Sequence, residues 1–338
     1  MTYSSGGLIQ ATDYNGFAND TAGANVNGIW ATGATDKGYG QSALTTVSAA
    51  GTVTATQWAG LVNNISSLAS HTDTTVTART APIAGNTISI FAALNTDLTN
   101  ITTNRGNAAA SGTTSTVFSG TTSKTTATQG AQPYDPWTIT FTHTVTFASA
   151  DAARYFFNAG GLIRLDMSKT STGTTKDDDW NAFAASVGVL YLSGRVNSAA
   201  QTIAGNSYTG FTRVGGSGSP TVNATTTGWY TLSAGAGATT MFNIQGALYP
   251  YTGDYIRVTM AKNVGADTLT IVTTWYDAGD DNGGPGPLTS SAISGGTATT
   301  SPYSSFGTAP TVLCRFVPPS TTYLSASWGT PAVAASVV

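Results

Sequence analysis

The stretch Trp137-Thr-Ile-Thr-Phe-Thr-His-Thr-Val-Thr-Phe147 decides the fold of this chain. Large apolar residues and His143 occupy every second position, and threonines fill the positions between them. A period of two in β-branched and aromatic residues is typical of a β-strand with one buried face. The run therefore predicts a long strand in a sheet that is covered on one side.

The sequence after this strand alternates turn signals with further strand-like runs. Short helices are predicted at 149–157 and 177–187, and strands at 162–167, 229–232, 241–244, 255–261, 268–276, 312–317 and 322–327. Few helices among many Gly- and Pro-containing turns indicate an α+β body with antiparallel sheets over residues 133–338. The expected fold class is α+β, mainly β, with a helical N-terminal region.

That N-terminal region, residues 1–106, contains an internal repeat at about 9–24 and 53–70. Residues 11–19 match residues 55–63, with aromatic on aromatic, Gly on Gly and Asn on Asn. The second copy has apolar residues at the i, i+3, i+4 and i+7 positions of a helix. Thr54 and Gln57 fit a capping box at the start of that helix.

A third helical pattern follows near residue 90, and its polar face consists of Thr and Asn, which are poor helix formers. Such helices need tertiary or intersubunit packing. We therefore expect residues 1–106 to serve attachment and oligomerisation, and residues 107–132, rich in Thr, Ser, Ala and Gly, to be a linker. The expected assembly interface comprises Tyr14, Phe17, Trp58, Leu61, Val62, Ile65, Phe91, Leu94 and Leu98.

The composition excludes several classes of protein. Charged residues make up 9% of the 338 residues, against about 25% in an average domain. The 13 Lys and Arg residues form no basic patch for nucleic acid, and no apolar run is long enough to insert into a membrane. The N-terminus does not look like a signal peptide, and the single Cys314 forbids an intrachain disulfide. Near-zero net charge favours self-association.

The acidic clusters have two interpretations each. Asp277, Asp280 and Asp281 could bind Ca²⁺ through oxygen ligands, but acidic residues before a Gly/Pro loop are more often turn formers. The run 177–179 could supply a carboxylate pair for glycoside hydrolysis, but three adjacent Asp residues at a helix start are better explained by the helix dipole. We predict neither a metal nor a cofactor.

The remaining candidate residues for chemistry are isolated. His71 and His143 lie in no metal-binding or catalytic motif, and Cys314 falls in an apolar strand. Arg164 alternates with Ile163 and Leu165, so an exposed or interfacial ion pair is expected there. No catalytic residue is predicted, and we expect a protein that is not an enzyme.

Aromatic residues near turns provide candidate contacts for a glycan, because aromatic rings can stack on the apolar faces of sugars. The alternative is that they fill the core of a sheet, as most aromatics in β-domains do. The candidates are Trp229, Tyr251, Trp275 and Tyr276.

Several segments resemble structural proteins of tailed-bacteriophage virions. They are LIQATDYN at 8–15, GIWATG at 28–33, GYGQ at 38–41, VTATQW at 53–58 with His71, ARYFFNAGGLIR at 153–164 and KDDDW at 176–180. The segments fall in both halves of the chain and describe helix starts and turns, with no catalytic residue among them. The resemblance implies a tail, baseplate, fibre or neck component.

On this basis we expect a non-enzymatic virion protein of the tail or baseplate fibre type, made in the host cytoplasm. Its expected partners are further copies of itself, with a trimer favoured, and other virion proteins. Two alternatives stay open: a tip that binds a host receptor or glycan, and a fibre or decoration protein of the neck or head.

Overall fold

A computed structural model describes residues 10–19, 24–85, 93–110, 112–116, 123, 128–129, 136–171, 175–194, 200–217, 226–235, 237–245, 253–278 and 309–338. The helices in these ranges are α1 (Ala11–Asn19), α2 (Val26–Trp30), α3 (Ala55–His71), α4 (Leu94–Asn104), α5 (Ala150–Asn158) and α6 (Thr175–Val187). No helix in this part of the chain is long and apolar enough to cross a membrane.

The strands form three sheets. They are β1 (Asn107–Ala108), β2 (Ser115–Thr116), β3 (Thr128–Gln129), β4 (Trp137–Thr146), β5 (Leu162–Ser168), β6 (Val189–Leu192), β7 (Gln201–Ile203), β8 (Asn206–Tyr208), β9 (Phe211–Val214), β10 (Thr239–Gln245), β11 (Tyr255–Lys262), β12 (Thr268–Asp277), β13 (Thr311–Val317) and β14 (Ala332–Val337). The predicted class, α+β and mainly β with N-terminal helices, is confirmed.

The largest sheet is built around the strand that opened the sequence analysis. Its order is β10-β11-β12-β4-β14, with β3 paired to one end of β4, and all its pairs are antiparallel. The second sheet has the order β2-β13-β5-β6-β9 and is also antiparallel. The third, β1-β7-β8, contains the parallel pair β1–β7.

One hydrophobic core joins the helices to the inner faces of the two larger sheets. It runs from Tyr14 in α1 through Trp58 in α3 and Phe156 in α5 to Ile271 in β12 and Val333 in β14. The predicted N-terminal region and sheet body therefore share their core. Within the predicted linker, β1 pairs with β7 and β2 pairs with β13, so these parts of residues 107–132 belong to the sheets.

Local signals explain the starts of α3 and α5. Thr54 and Gln57 form the predicted capping box of α3, and the side chain of Ser149 accepts a hydrogen bond from the backbone N–H of Ala152 at the start of α5. Two strand predictions were wrong, because 229–232 and 322–327 form turns and bends. The pattern of aromatic and apolar residues there reflects burial of Trp229, Leu232 and Leu324 from irregular backbone.

Candidate functional site

Eight of the nine residues predicted to form an assembly interface are buried inside a single chain. The exposed fraction of each is at most 6%; they are Tyr14, Phe17, Trp58, Leu61, Val62, Ile65, Leu94 and Leu98. Phe91 lies outside the described residues. This corrects the interpretation that these helix faces need a second copy: the chain's own segments cover them.

The centre of this region is Trp58. Its ring lies 6.0 Å from the Tyr14 ring and meets the Phe17 ring edge-on at 6.4 Å, measured between centroids. The aromatic positions that mark the sequence repeat therefore pack against each other. The repeat is the signature of two helices that bury one another within the same chain.

Primary amide side chains fasten the extended segment between α2 and α3. Asn15 donates to the carbonyl of Val47 and accepts from its N–H, both at 2.8 Å. Asn27 makes the same pair of bonds with Leu44, at 2.9 and 2.8 Å. Each amide donates to and accepts from the backbone of one residue, as a paired residue in a β-bridge does. The amides are uncharged. This role was not predicted from the sequence, although an Asn inside a helix is a signal for it, because Asn is a poor helix former.

Helix α5 ties the N-terminal segment to the sheets. Asn158 donates to the carbonyl of Gly38 at 2.9 Å and accepts from the Tyr230 hydroxyl at 2.5 Å. Arg154 donates to the carbonyl of Lys37 at 2.6 Å. Gly38 has a φ of +95°, and a Cβ there would lie 2.0 Å from the Thr32 carbonyl oxygen, so only glycine fits. The resemblance segments 38–41 and 153–164 thus meet in space.

Two of the four predicted glycan contacts are wrong. Trp275 is fully buried and stacks on Trp180 with ring centroids 5.8 Å apart. Trp229 is 3% exposed and stacks on Phe157 at 4.9 Å. Both rings fill the core, which was the alternative explanation for the aromatics.

Tyr276 is the predicted glycan contact that lies on the outer face of the six-stranded sheet. It is half-buried and stacks on Tyr255 with centroids 4.8 Å apart. The Arg257 guanidinium lies 4.2 Å from the centroid of Tyr255 on the neighbouring strand. Tyr251 lies outside the described residues. The three side chains Tyr255, Arg257 and Tyr276 are called the Tyr–Arg stack below.

Threonines dominate the rest of that outer face. On β4 and β12 threonines stand opposite each other in three pairs, Thr140–Thr274, Thr144–Thr270 and Thr146–Thr268, while Thr138 and Thr142 face Tyr276 and Val272. The partner strand β14 adds Ala332, Ala334 and Ser336 in the same register. Among the described side chains that point outward from β11, β12, β4 and β14, Arg257 is the one with a charge. We call this surface the Thr face.

The outer face of the five-stranded sheet carries a charged group. Arg164 donates to Asp166 from Nε at 2.9 Å and from Nη2 at 2.6 Å, and the Nε of Arg315 lies 3.1 Å from the other carboxylate oxygen. The expected ion pair at Arg164 is present, with a second arginine that the sequence analysis did not connect to it.

The histidines and the cysteine are core residues. Burial lowers the pKa of His71 to about 4 and that of His143 to about 4, so both are neutral at pH 7. His71 packs edge-on against Tyr39 at 5.2 Å. Burial raises the pKa of Cys314 to about 12, which makes the thiol a poor nucleophile.

The described members of the two acidic clusters do not form a site for a metal ion. Asp277 is 1% exposed at the end of β12, while Asp280 and Asp281 lie outside the described residues. Helix α6 begins at Thr175, so Asp178 occupies its first turn, where a carboxylate stabilises the dipole. Within the described ranges, no three His, Cys, Asp or Glu side chains are grouped to hold a metal ion.

A groove of about 380 Å³ opens between the β13 end and the C-terminal loop. Phe316, Pro318, Ser320, Trp328 and Thr330 are among its lining residues, and none of the lining residues that the structure describes is titratable.

No protein-family model matches the chain, and no curated protein or solved structure matches it either.

Proposed function

We propose that this chain is a non-enzymatic structural component of a tailed-phage virion, of the tail or baseplate fibre type. It self-assembles and docks onto other virion proteins, with a trimer as the favoured oligomer. The support comes from the virion-like segments in both halves of the chain and from the scarcity of charge on its largest sheet. A neck or head fibre, or a decoration protein, belongs to the same class.

The observation that carries the proposal is the edge strand β14 beside the Thr face. Thr140 and Val338 exchange both backbone hydrogen bonds. Because such pairs alternate along an antiparallel ladder, Val333, Ala335 and Val337 direct their N–H and C=O groups away from β4. Within the described residues nothing pairs with that side of β14.

Natural edge strands are usually protected by charge, proline or a bulge, since an open edge pairs with other chains. The strand Ala-Val-Ala-Ala-Ser-Val has none of these protections. An open, uncharged edge that continues into a face with Arg257 as its one described charged side chain suits a protein that stays in contact with other copies or with neighbouring shell and tail parts.

Mass spectrometry of purified virions from infected cells tests this function. We expect the chain at a fixed, multiple copy number per particle, retained through a density gradient and a high-salt wash. A matched control is a host protein of similar abundance in the lysate, which the same washes remove. Recovery of this chain only in the soluble lysate contradicts the proposal.

A second candidate function, a tip that binds a host glycan, is favoured by the Tyr–Arg stack. Stacked tyrosines beside a guanidinium offer a ring face and hydrogen-bond donors to a sugar. Glycan-array binding that Tyr276→Ala abolishes and Tyr323→Ala preserves supports this function. Tyr323 is a suitable control because it is 40% exposed on an unrelated loop.

A further inference from the structure

Two arginines stand directly opposite each other on the outer face of the five-stranded sheet. Arg164 on β5 is paired in register with Arg315 on β13, and the row continues to Thr116 on one side and to Tyr191 and Thr212 on the other. With strands about 4.8 Å apart, the row forms a line about 19 Å long across the sheet. We call it the arginine row.

This placement is costly for the fold. Side chains opposite each other on neighbouring strands lie about 5 Å apart at Cβ, and like charges there are destabilising. Asp166 is the one described carboxylate in contact with the pair, and it contacts both guanidinium groups. One negative charge offsets one of two positive charges, so the row keeps a net charge of +1 in a chain with only 13 Lys and Arg residues.

Much of the donor capacity of the pair is unused. Arg164 contacts Asp166 through Nε and Nη2, and Arg315 does so through Nε. Within the described residues, Nη1 of Arg164 and both Nη atoms of Arg315 make no hydrogen bond. Both side chains remain partly exposed, at 27% and 31%. A planar guanidinium with free parallel donors matches the two oxygens of a carboxylate.

Aromatic rings and hydroxyls flank these donors. The Arg164 guanidinium lies 5.9 Å from the centroid of Tyr191, and the Tyr191 ring meets the Tyr208 ring of the small sheet at 5.4 Å. Tyr191 and Tyr208 rest against a second, small core that holds the third sheet on the second. The rings are therefore fixed in place beside the arginines.

We propose that the arginine row is a binding site for a carboxylate-bearing saccharide. The free guanidinium donors bind the sugar carboxylate, Tyr191 and Tyr208 offer apolar ring surface to the pyranose, and the Thr212 side chain at one end of the row bonds its hydroxyls. Asp166 competes with the sugar carboxylate for the two arginines and so repels anions that do not bring enough other contacts. This site lies on a different sheet from the Tyr–Arg stack and does not depend on where the chain sits in a particle.

Calorimetric titration of the purified chain with trigalacturonate tests the proposal. We expect trigalacturonate to bind, and its binding to weaken with added salt. We expect no binding of the methyl ester of trigalacturonate, which has the same shape without the charge. Arg315→Gln is expected to weaken binding at least tenfold. The matched control is Lys37→Gln, which removes one exposed positive charge outside the arginine row and the Tyr–Arg stack and is expected to leave the affinity unchanged.

Asp166→Asn separates a binding site from a structural ion pair. It removes the competing carboxylate, so we expect trigalacturonate to bind several-fold more tightly. Weaker binding in Asp166→Asn, equal binding of the methyl ester, or no binding by the unaltered chain overturns the proposal. If triglutamate binds as well as trigalacturonate, the ligand is an acidic peptide and the saccharide assignment is wrong. Should Arg315→Gln fail to fold, Arg315→Lys replaces it, with the same direction expected because lysine cannot bind a carboxylate bidentately.

Discussion

The side chain of Gln41 pairs with the backbone of Ser325, 284 residues further along the chain. Its Nε2 donates to the Ser325 carbonyl at 2.9 Å, and its Oε1 accepts from the Ser325 N–H at 2.8 Å. The Ser327 hydroxyl adds a bond to the carbonyl of Tyr39 at 2.5 Å. The N-terminal segment is thus fastened to the loop before the last strand by an uncharged amide.

Gln41→Glu tests this amide pairing. The carboxylate cannot donate to the Ser325 carbonyl and places a charge at a site that is 8% exposed. We expect a loss of about 2 kcal/mol in the free energy of unfolding, measured by urea denaturation. The control is Gln57→Glu, where the side-chain oxygen accepts from the Thr54 N–H and hydroxyl and a carboxylate can do the same, so that stability should change little. Equal losses in both variants would contradict the role of Gln41.

Trp58→Ala distinguishes a core residue from an interface residue. Removing a ring that is 3% exposed and packed on Tyr14 and Phe17 should cost about 4 kcal/mol in the stability of the monomer. Because helices and sheets share one core, we expect the near-ultraviolet and far-ultraviolet circular dichroism signals, which report tertiary packing and secondary structure, to be lost together on heating. A variant that keeps its melting temperature and loses only its oligomeric state would contradict the shared core.

The buried histidines make stability depend on pH. Their pKa values are lowered to about 4 in the folded chain, against about 6.5 when unfolded, so the unfolded chain binds more protons between these values. Stability is therefore fully present above pH 6.5 and falls as the pH drops toward 4. We expect each histidine to contribute a slope of up to about 1.4 kcal/mol per pH unit within this window.

Measurements of unfolding free energy between pH 5 and 7 check this, because that window lies above the ordinary pKa of carboxylates. His71→Gln is expected to reduce the slope by up to about 1.4 kcal/mol per pH unit, which corresponds to one proton. The same reduction is expected for His143→Gln. An unchanged slope in both variants would show that neither histidine is neutralised by burial.

Ala335→Pro tests the open edge of β14. The substitution removes an N–H that points away from β4, so it leaves the ladder to β4 intact and blocks pairing on the outer side. We expect the protein concentration at which the oligomer dissociates, measured by multi-angle light scattering, to rise at least tenfold. Ala335→Val keeps the N–H and should assemble normally. An oligomer that is insensitive to the proline must use another surface.

The long helices and strands with a clear periodic pattern were predictable from the sequence, and the short strands without such a pattern were not. Strand β4 and the start of α3 followed from period-two and capping patterns that need no knowledge of the rest of the chain. Strand β14 was missed because small residues such as Ala334 and Ala335 carry no clear periodicity. Its pairing with β4 is decided by tertiary contacts.

The candidate surfaces illustrate the same limit. An apolar helix face looks identical in sequence whether its cover is intramolecular or a second subunit, so Trp58 and Leu94 were assigned to an interface. Trp275 and Tyr276 are adjacent and equally aromatic, yet the alternation of the strand buries one and presents the other. The pairing of Arg164 with Arg315 depends on the register of strands about 150 residues apart, which no local pattern encodes.

The burial of Cys314 affects how its thiol responds to oxidising and reducing surroundings. Its thiol lies on the buried face of β13, and burial raises its pKa and so favours the protonated form. Enclosure and protonation both slow the reaction of this thiol with oxidants and disulfides. The redox state of the surroundings should therefore have little effect on Cys314 while the chain stays folded.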